Sequence, residues 1–313
     1  MLRLRFAVVA CRLPAPPRST TCRLLRAAFS SSSSSYSSSS QPPSSDDADA
    51  EYALGVRHFV GRAEAPSARR AVLHWTNAAL RGHAKAQSAL GQLYLRGHGD
   101  VARDERLARQ FLRQAADAGH EGSCHELGKL LLRDDEDVAG ALRYWTRAAE
   151  SGHAAASYDL AFVYERGVLV AADEARAVAL YQQAAAKGMP EAHRALGTVF
   201  LAGRAAAGVA QDVGKAVAHL TRAADAGLAP AQFDLGACFL LGRGVAQDAQ
   251  QAAQLFFLAA EGGVPEAQLG LAQLFEQGRG VAADRAKAVQ YYRLAAQSGL
   301  REAQSALDRL GEP

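Results

Sequence analysis

Apolar residues recur at fixed distances along residues 50–310 of this chain. A leucine, in most cases followed by glycine or alanine, marks one register, and an Ala-Ala pair follows each of the first seven leucines. The leucines are Leu54, Leu90, Leu127, Leu160, Leu196, Leu235, Leu271 and Leu307, and the pairs begin at Ala78, Ala115, Ala148, Ala184, Ala223, Ala259 and Ala295. Each pair begins 12 residues before the next leucine, whereas successive leucines are 33 to 39 residues apart. The junction between units is therefore constant and an internal loop varies, as in stacked repeats.

The residues around each Ala-Ala pair predict a helix with defined ends. A short oxygen acceptor stands 11 residues before the pair and predicts an N-cap: Ser67, Asp104, Asp137, Asp173, Asp212, Asp248 and Asp284. Alanine seven residues before the pair and a large apolar residue three before it give one face a small, large, small pattern suited to close packing. Glycine four residues after the start of the pair predicts a left-handed helix end: Gly82, Gly119, Gly152, Gly188, Gly227, Gly263 and Gly299.

A second helix in each unit is predicted around the leucine. A small residue four before the leucine and an apolar residue four after it mark its core face. The loop between the two helices typically reads Gly-x-Gly-Val-x-x-Asp, as at residues 242–248. We therefore predict an all-α chain of about seven helix-turn-helix units at about 50–85, 86–122, 123–155, 156–191, 192–230, 231–266 and 267–302, with a closing helix at 303–310.

This order of residues resembles the Sel-one-like repeat family, the glycine-punctuated relatives of tetratricopeptide repeats. The best match runs from Ala231 to Gly263, and the resemblance covers about residues 50–310. Three units depart from it: the first unit, from about Ala50, and the unit from Ser123 lack Gly-x-Gly, and the unit from Ala192 carries three extra residues. We interpret the first unit as an imperfect cap. The resemblance implies an α-solenoid that winds as a right-handed superhelix, and adaptor roles in assembly, quality control or stress signalling.

The first 45 residues have a different composition from the rest. They contain six arginines and no Asp, Glu or Lys, followed by a serine-rich stretch with Pro42 and Pro43. Six of the 35 basic residues lie here, which leaves 29 against 32 acidic residues from Asp46 onward. This composition predicts a transit peptide with a disordered serine-rich segment at 1–45, and so a mitochondrial location, in the matrix, with a plastid as the alternative. A plain disordered tail is a further interpretation.

The sequence offers no convincing catalytic or metal-binding set. His83, His120 and His153 recur at one register, but equivalent positions on stacked repeats lie roughly 10 Å apart, too far to share one ion. We expect Cys124 and Cys238 to be reduced and half-buried, because they lie three repeats apart. We predict no enzyme activity and no cofactor; an enzyme or metal-binding protein built on the repeats is the alternative.

The remaining candidate is a surface on the first helices of the repeats. We predict that a strip of aromatic and cationic residues binds a segment of a partner protein: Arg96, Lys129, Arg133, Tyr158, Phe162, Arg166, Arg194 and Phe233. The alternative is that these side chains make ordinary contacts between repeats. We expect protein partners, with no membrane span and no evident small-molecule substrate. Nucleic acid is disfavoured because the part after residue 45 is net acidic.

Overall fold

The computed structural model describes residues 45–61, 65–134 and 137–312, so the predicted transit segment lies outside the described residues except for Ser45. Within these ranges the chain is all helical, without a β-strand. The helices are α1 Ser45–Val60, α2 Ala68–Leu80, α3 Ala84–Arg96, α4 Glu105–Asp117, α5 Glu121–Asp134, α6 Val138–Glu150, α7 Ala154–Arg166, α8 Glu174–Ala186, α9 Pro190–Ala202, α10 Val213–Asp225, α11 Ala229–Leu241, α12 Ala249–Glu261, α13 Pro265–Gln277, α14 Arg285–Gln297 and α15 Arg301–Leu310. Each packs against its neighbours along the chain, which gives seven stacked helix pairs and a closing helix.

All seven predicted N-caps of the second helices are confirmed. Each Ser or Asp side chain accepts a hydrogen bond from a backbone amide in the first turn, from 2.8 Å at Gly140 to 3.4 Å at Arg70. These even-numbered helices, α2 to α14, therefore begin where the sequence pattern places them, because a local acceptor satisfies an otherwise unpaired donor.

The predicted glycine turns are also confirmed, with φ between 77° and 91° at all seven positions. At the first, Gly82 donates its amide to the Ala79 carbonyl and His83 donates to the Ala78 carbonyl, the paired bonds that close a helix before a left-handed residue. The turn at Gly188 is open, because a Cβ added to this glycine would meet no atom within 4 Å. The positive φ, rather than crowding, is what requires glycine there.

The glycine that follows the leucine serves a different purpose. A Cβ on Gly91 would lie 2.6 Å from Cγ of Leu112, and a Cβ on Gly236 would lie 2.8 Å from the Phe256 ring. Leu112 and Phe256 occupy the large position of the second helix. The first helix therefore lacks a side chain where the large residue of its partner helix packs.

The structure departs from the expected pattern in four respects. Leu54 is 39% exposed, because no earlier repeat lies against it in the described part of the chain, whereas the later leucines are buried. The three extra residues after α9 form a short 3-10 turn, Ala205–Ala207. The closing helix begins at Arg301, two residues earlier than predicted. Cys124 and Cys238 are free thiols, as expected, but fully buried rather than half-buried.

Candidate interaction surface

Three residues of the predicted strip lie together on α7. Tyr158, Phe162 and Arg166 are four residues apart, so they share one side of the helix. Phe162 is 45% exposed, and the Arg166 guanidinium lies over its ring, with 5.4 Å from Cζ to the ring centroid. Tyr158 is half-buried against Tyr181, with ring centroids 5.5 Å apart. Exposed aromatic and cationic groups are thus adjacent here, and we name these three residues the α7 cluster.

Burial and charge around the α7 cluster determine which groups are free. Burial raises the pKa of the Tyr158 hydroxyl, which is therefore protonated at neutral pH. Glu165, beside the cluster, accepts hydrogen bonds from Tyr181 Oη at 2.8 Å and from Arg204 Nη2 at 3.1 Å. Because Glu165 is satisfied within the protein, the outward charge of this helix end comes from Arg166.

Arg194 and Phe233 hold neighbouring repeats together. Arg194 Nε lies 2.6 Å from Asp234 Oδ2, which ties α9 to α11. Phe233 stacks on Phe256, with ring centroids 5.4 Å apart, at the edge of a core cluster of the sixth and seventh repeats. Both side chains are half-buried, so for these two residues the structure supplies repeat-to-repeat contacts of the kind that the alternative interpretation expects.

The three cations at the N-terminal end of the strip are exposed. Lys129 Nζ lies 3.1 Å from Glu126 Oε1, and Arg133 forms an ion pair with Glu105. Arg96 is exposed at the end of α3, and no ion pair with another described residue holds it. The exposed aromatic and cationic residues of the strip therefore lie on α3, α5 and α7.

The sequence pattern missed one register of hydrogen-bond donors that hold consecutive helices together. At five of the seven junctions, the side chain three residues before the leucine donates to the carbonyl of the second alanine of the preceding Ala-Ala pair; Ser157 and Gln304 at this register bond elsewhere. Gln87 donates to Ala79 at 3.2 Å, and the thiol of Cys124 lies 3.7 Å from the Ala116 carbonyl oxygen. Gln232 and Gln268 make the same bond to Ala224 and Ala260, and His193 to Ala185. The residue types differ, so only their shared ability to donate at a constant register could have revealed them.

The recurring histidines are helix N-caps. Nδ1 of His83, His120 and His153 accepts the amide of the residue three positions later at 3.0 to 3.2 Å. Burial holds the pKa of His120 and of His153 below the ordinary value of 6.5. The neutral ring that accepts this bond is therefore the stable form of His120 and of His153 in the fold. Within the described ranges no three His, Cys, Asp or Glu residues lie close enough to hold a metal ion.

A further histidine pair lies inside the fifth repeat. Nδ1 of His193 in α9 and Nδ1 of His219 in α10 are 2.9 Å apart, so one ring donates and the other accepts. Burial lowers the pKa of both rings, and the charge of His193 lowers the pKa of His219 further. Both rings are therefore neutral at neutral pH and join the two helices of the repeat.

Comparison with known proteins identifies the repeat. The chain is 27% identical to c5321, a protective antigen present in uropathogenic Escherichia coli strains that displays an SLR fold; the match covers 94% of this chain and 59% of that chain, with a TM-score of 0.77. A Sel1 repeat protein from Oxalobacter formigenes is 32% identical over 84% of this chain and 76% of its own, with a TM-score of 0.67.

Curated relatives match a shorter part of the chain. DAP3-binding cell death enhancer 1 of Mus musculus is 34% identical over 108 residues, which is 34% of this chain and 21% of that protein. The Rattus norvegicus protein of the same name is 33% identical over 98 residues, 31% of this chain and 19% of its own length. The match thus spans about a fifth of the length of these relatives.

No helix in the described part of the chain is long and apolar enough to cross a membrane. A model of the Sel1 repeat matches seven consecutive segments, at residues 48–83, 84–120, 122–153, 154–189, 190–228, 229–264 and 265–300. Together with the seven helix pairs and the two similar solenoids, these matches show that the chain belongs to the Sel1 repeat family.

Proposed function

We propose that this chain is a non-catalytic adaptor that binds an extended or helical segment of a partner protein along its first helices. Protein binding is typical of Sel1 repeat scaffolds, and the proposal rests chiefly on one observation. Phe162 exposes nearly half of its side chain beside the guanidinium of Arg166, on a helix whose other large apolar residues pack inward. Aromatic and arginine side chains that become buried when a partner binds are among the groups that contribute most to the binding energy of a protein interface.

The strip favours a partner segment that carries both apolar and acidic side chains. Arg96, Arg133 and Arg166 occupy the same register at the ends of three successive first helices and form a row, in which Arg133 is already paired with Glu105. An acidic segment would gain association rate from this row, and an apolar side chain would cover Phe162. The mouse and rat relatives are named for DAP3 binding, so a DAP3 homologue is the first partner to test.

The adaptor is proposed to act in mitochondria, with residues 1–45 as its transit peptide. The support is the acid-free, arginine-rich composition of that segment. A fluorescent protein fused at the C-terminus should enter mitochondria in the full chain and should fail to do so when the six arginines are replaced by glutamine. Import into plastids, or unchanged location in the variant, would contradict this proposal.

The binding proposal is tested by proximity labelling with the tag at the C-terminus. We expect the variant that combines Phe162→Ala with Arg166→Glu to lose most of the partners of the wild type. The labelling of these partners should fall by about tenfold or more, because both changes remove a proposed anchor residue. The matched control is Gln273→Ala with Gln277→Glu, because these residues occupy the same two registers of the seventh repeat. Equal partner recovery by both variants would overturn the proposed site.

A further inference from the structure

The second helices of the first three repeats carry a surface that the adaptor role does not use. On α2, α4 and α6 the residues opposite the core expose four arginines and two leucines, and the carboxylates Asp117 and Glu150 lie at the same registers at the ends of α4 and α6. We name this surface the arginine face: Arg69, Leu73, Leu80, Arg106, Arg113 and Arg143. Leu73 and Leu80 are 60% and 64% exposed, among the most exposed large apolar residues of the described chain. Each of these three helices has 13 residues and is about 20 Å long.

The three helices that carry the arginine face are joined laterally. Arg147 Nη2 of α6 donates to the Asp117 carbonyl at the end of α4, at 3.2 Å. Arg69 of α2 lies 2.8 Å from Asp100 in the loop that leads to α4. The arginines are therefore presented on one connected surface rather than on separate elements.

The same registers carry almost no cations in the last four repeats. On α8, α10, α12 and α14 these outward positions hold one arginine, Arg293, together with Asp225, Glu261 and otherwise uncharged residues. Lys215 and Lys287 near those helices pair with the N-cap carboxylates Asp212 and Asp284. Arg176 lies over the Tyr164 ring, as Arg143 of the arginine face lies over the Tyr144 ring. The repeat pattern therefore does not require the arginines, and they lie on a body that is net acidic from Asp46 onward.

Arginines and exposed leucines together fit one class of partner. A guanidinium binds phosphate oxygens in two parallel hydrogen bonds, so the arginines match phosphate groups. A nucleic-acid backbone offers phosphates but gives two exposed leucines nothing apolar to contact. The interface of a phospholipid bilayer offers both, since phosphates lie above acyl chains that can cover leucine side chains.

We propose that the arginine face binds the surface of an anionic phospholipid bilayer, with Leu73 and Leu80 entering the headgroup region. The solenoid then lies on the membrane through its second helices, while its first helices remain available to a protein partner. Binding by this face is peripheral, and it does not depend on the proposed adaptor site.

The test is co-flotation of the full chain with vesicles of phosphatidylcholine, with and without about one third phosphatidylserine. We expect binding to the anionic vesicles only. Arg106→Gln, Arg113→Gln and Arg143→Gln together should weaken it by at least about tenfold, because each cation near an anionic surface contributes about fivefold. The matched control is Arg243→Gln, Arg279→Gln and Arg301→Gln, which removes the same charge from exposed positions in the last repeats. The full chain keeps its N-terminal arginines in both variants, so the difference reports the face alone.

A second pair of variants separates a bilayer from other anionic partners. Leu73→Ser with Leu80→Ser should also weaken vesicle binding, by about tenfold, whereas Leu241→Ser, another exposed leucine, should not. Unchanged far-UV melting curves would show that each variant is folded. Equal binding by the two arginine triples, or full binding by the leucine pair, would overturn the proposal. So would salt-sensitive binding of a short RNA through the same arginines without vesicle binding.

Discussion

The first three repeat junctions and the last four build the same turn with different chemistry. After the turn glycine, the first three place His83, His120 or His153, whose ring accepts an amide of the next helix. The last four place Met189, Leu228, Val264 or Leu300 there, with no side-chain cap. Three of those four helices instead carry proline in their first two positions. The geometry of the turn is therefore shared. In the first three junctions a side-chain hydrogen bond stabilises it, and in most of the last four a proline restricts the backbone.

This difference shows that the same turn can be stabilised in two physical ways. A histidine cap satisfies one of the unpaired amides at a helix start, whereas proline lowers the entropy of the unfolded chain and has no amide to satisfy. The two regions should consequently respond alike to a change in the glycine they share, and differently to acid.

The largest loss of stability is expected from a change at the turn glycine, because both regions have a glycine at this register. Gly188 ends α8 with φ of 82° at the boundary between the two kinds of turn. Valine in this left-handed conformation should cost about 1–3 kcal/mol, because its branched side chain disfavours positive φ. Thermal unfolding followed by circular dichroism should show Tm lower by several degrees.

Gly214 provides the control for that substitution. It lies in the first turn of α10 without a positive φ, so Gly214→Ala should leave Tm unchanged or raise it slightly. If Gly188→Val has the same Tm as the wild type, the turn does not require a residue that favours the left-handed conformation, which contradicts the role assigned to the glycine.

The sequence predicts the parts of this molecule that depend on neighbours in the chain. Asp248 and Gly188 were correctly placed, because a cap or a turn involves residues only a few positions away. Burial of Leu54 was wrongly expected, since it needs an earlier repeat that the described chain does not supply. The contact of Arg194 with Asp234 was missed because the partner is 40 residues distant, and one carboxylate among many cannot be selected by spacing alone.

Acid should separate the two regions. A protonated imidazole cannot accept the amide hydrogen bond and carries charge at the positive end of the helix dipole. Because burial holds the pKa of His120 and of His153 below 6.5, the unfolded chain binds these protons first. The stability that they contribute is complete above about pH 6.5 and is lost as the pH falls below it, by about 1 kcal/mol per cap.

Hydrogen exchange between pH 7 and pH 5, corrected for its intrinsic pH dependence, locates that loss. Amides in the first turns of α5 and α7 should lose protection, whereas those of α11 and α13 should not. His120→Asn with His153→Asn keeps an acceptor that does not titrate, so the loss should disappear in that variant. The fifth repeat does not distinguish the two kinds of turn in this experiment, because its His193–His219 pair is itself sensitive to acid. Equal loss of amide protection at all junctions would contradict the interpretation that the two regions are stabilised by different chemistry.

The smallest effect tests the proline side of the comparison. Pro265 begins α13 after the uncapped Val264, so Pro265→Ala should cost about 0.4–1 kcal/mol through the greater freedom of the unfolded chain. No titrating group takes part, so the decrease in Tm should be the same at pH 7 and pH 5. His153→Ala should cost about 1 kcal/mol at pH 7 and less at pH 5, where protonation already weakens the wild-type cap. A Pro265→Ala penalty that changes with pH, or a His153→Ala penalty that does not, would mean that the two kinds of turn are not stabilised by different physical terms.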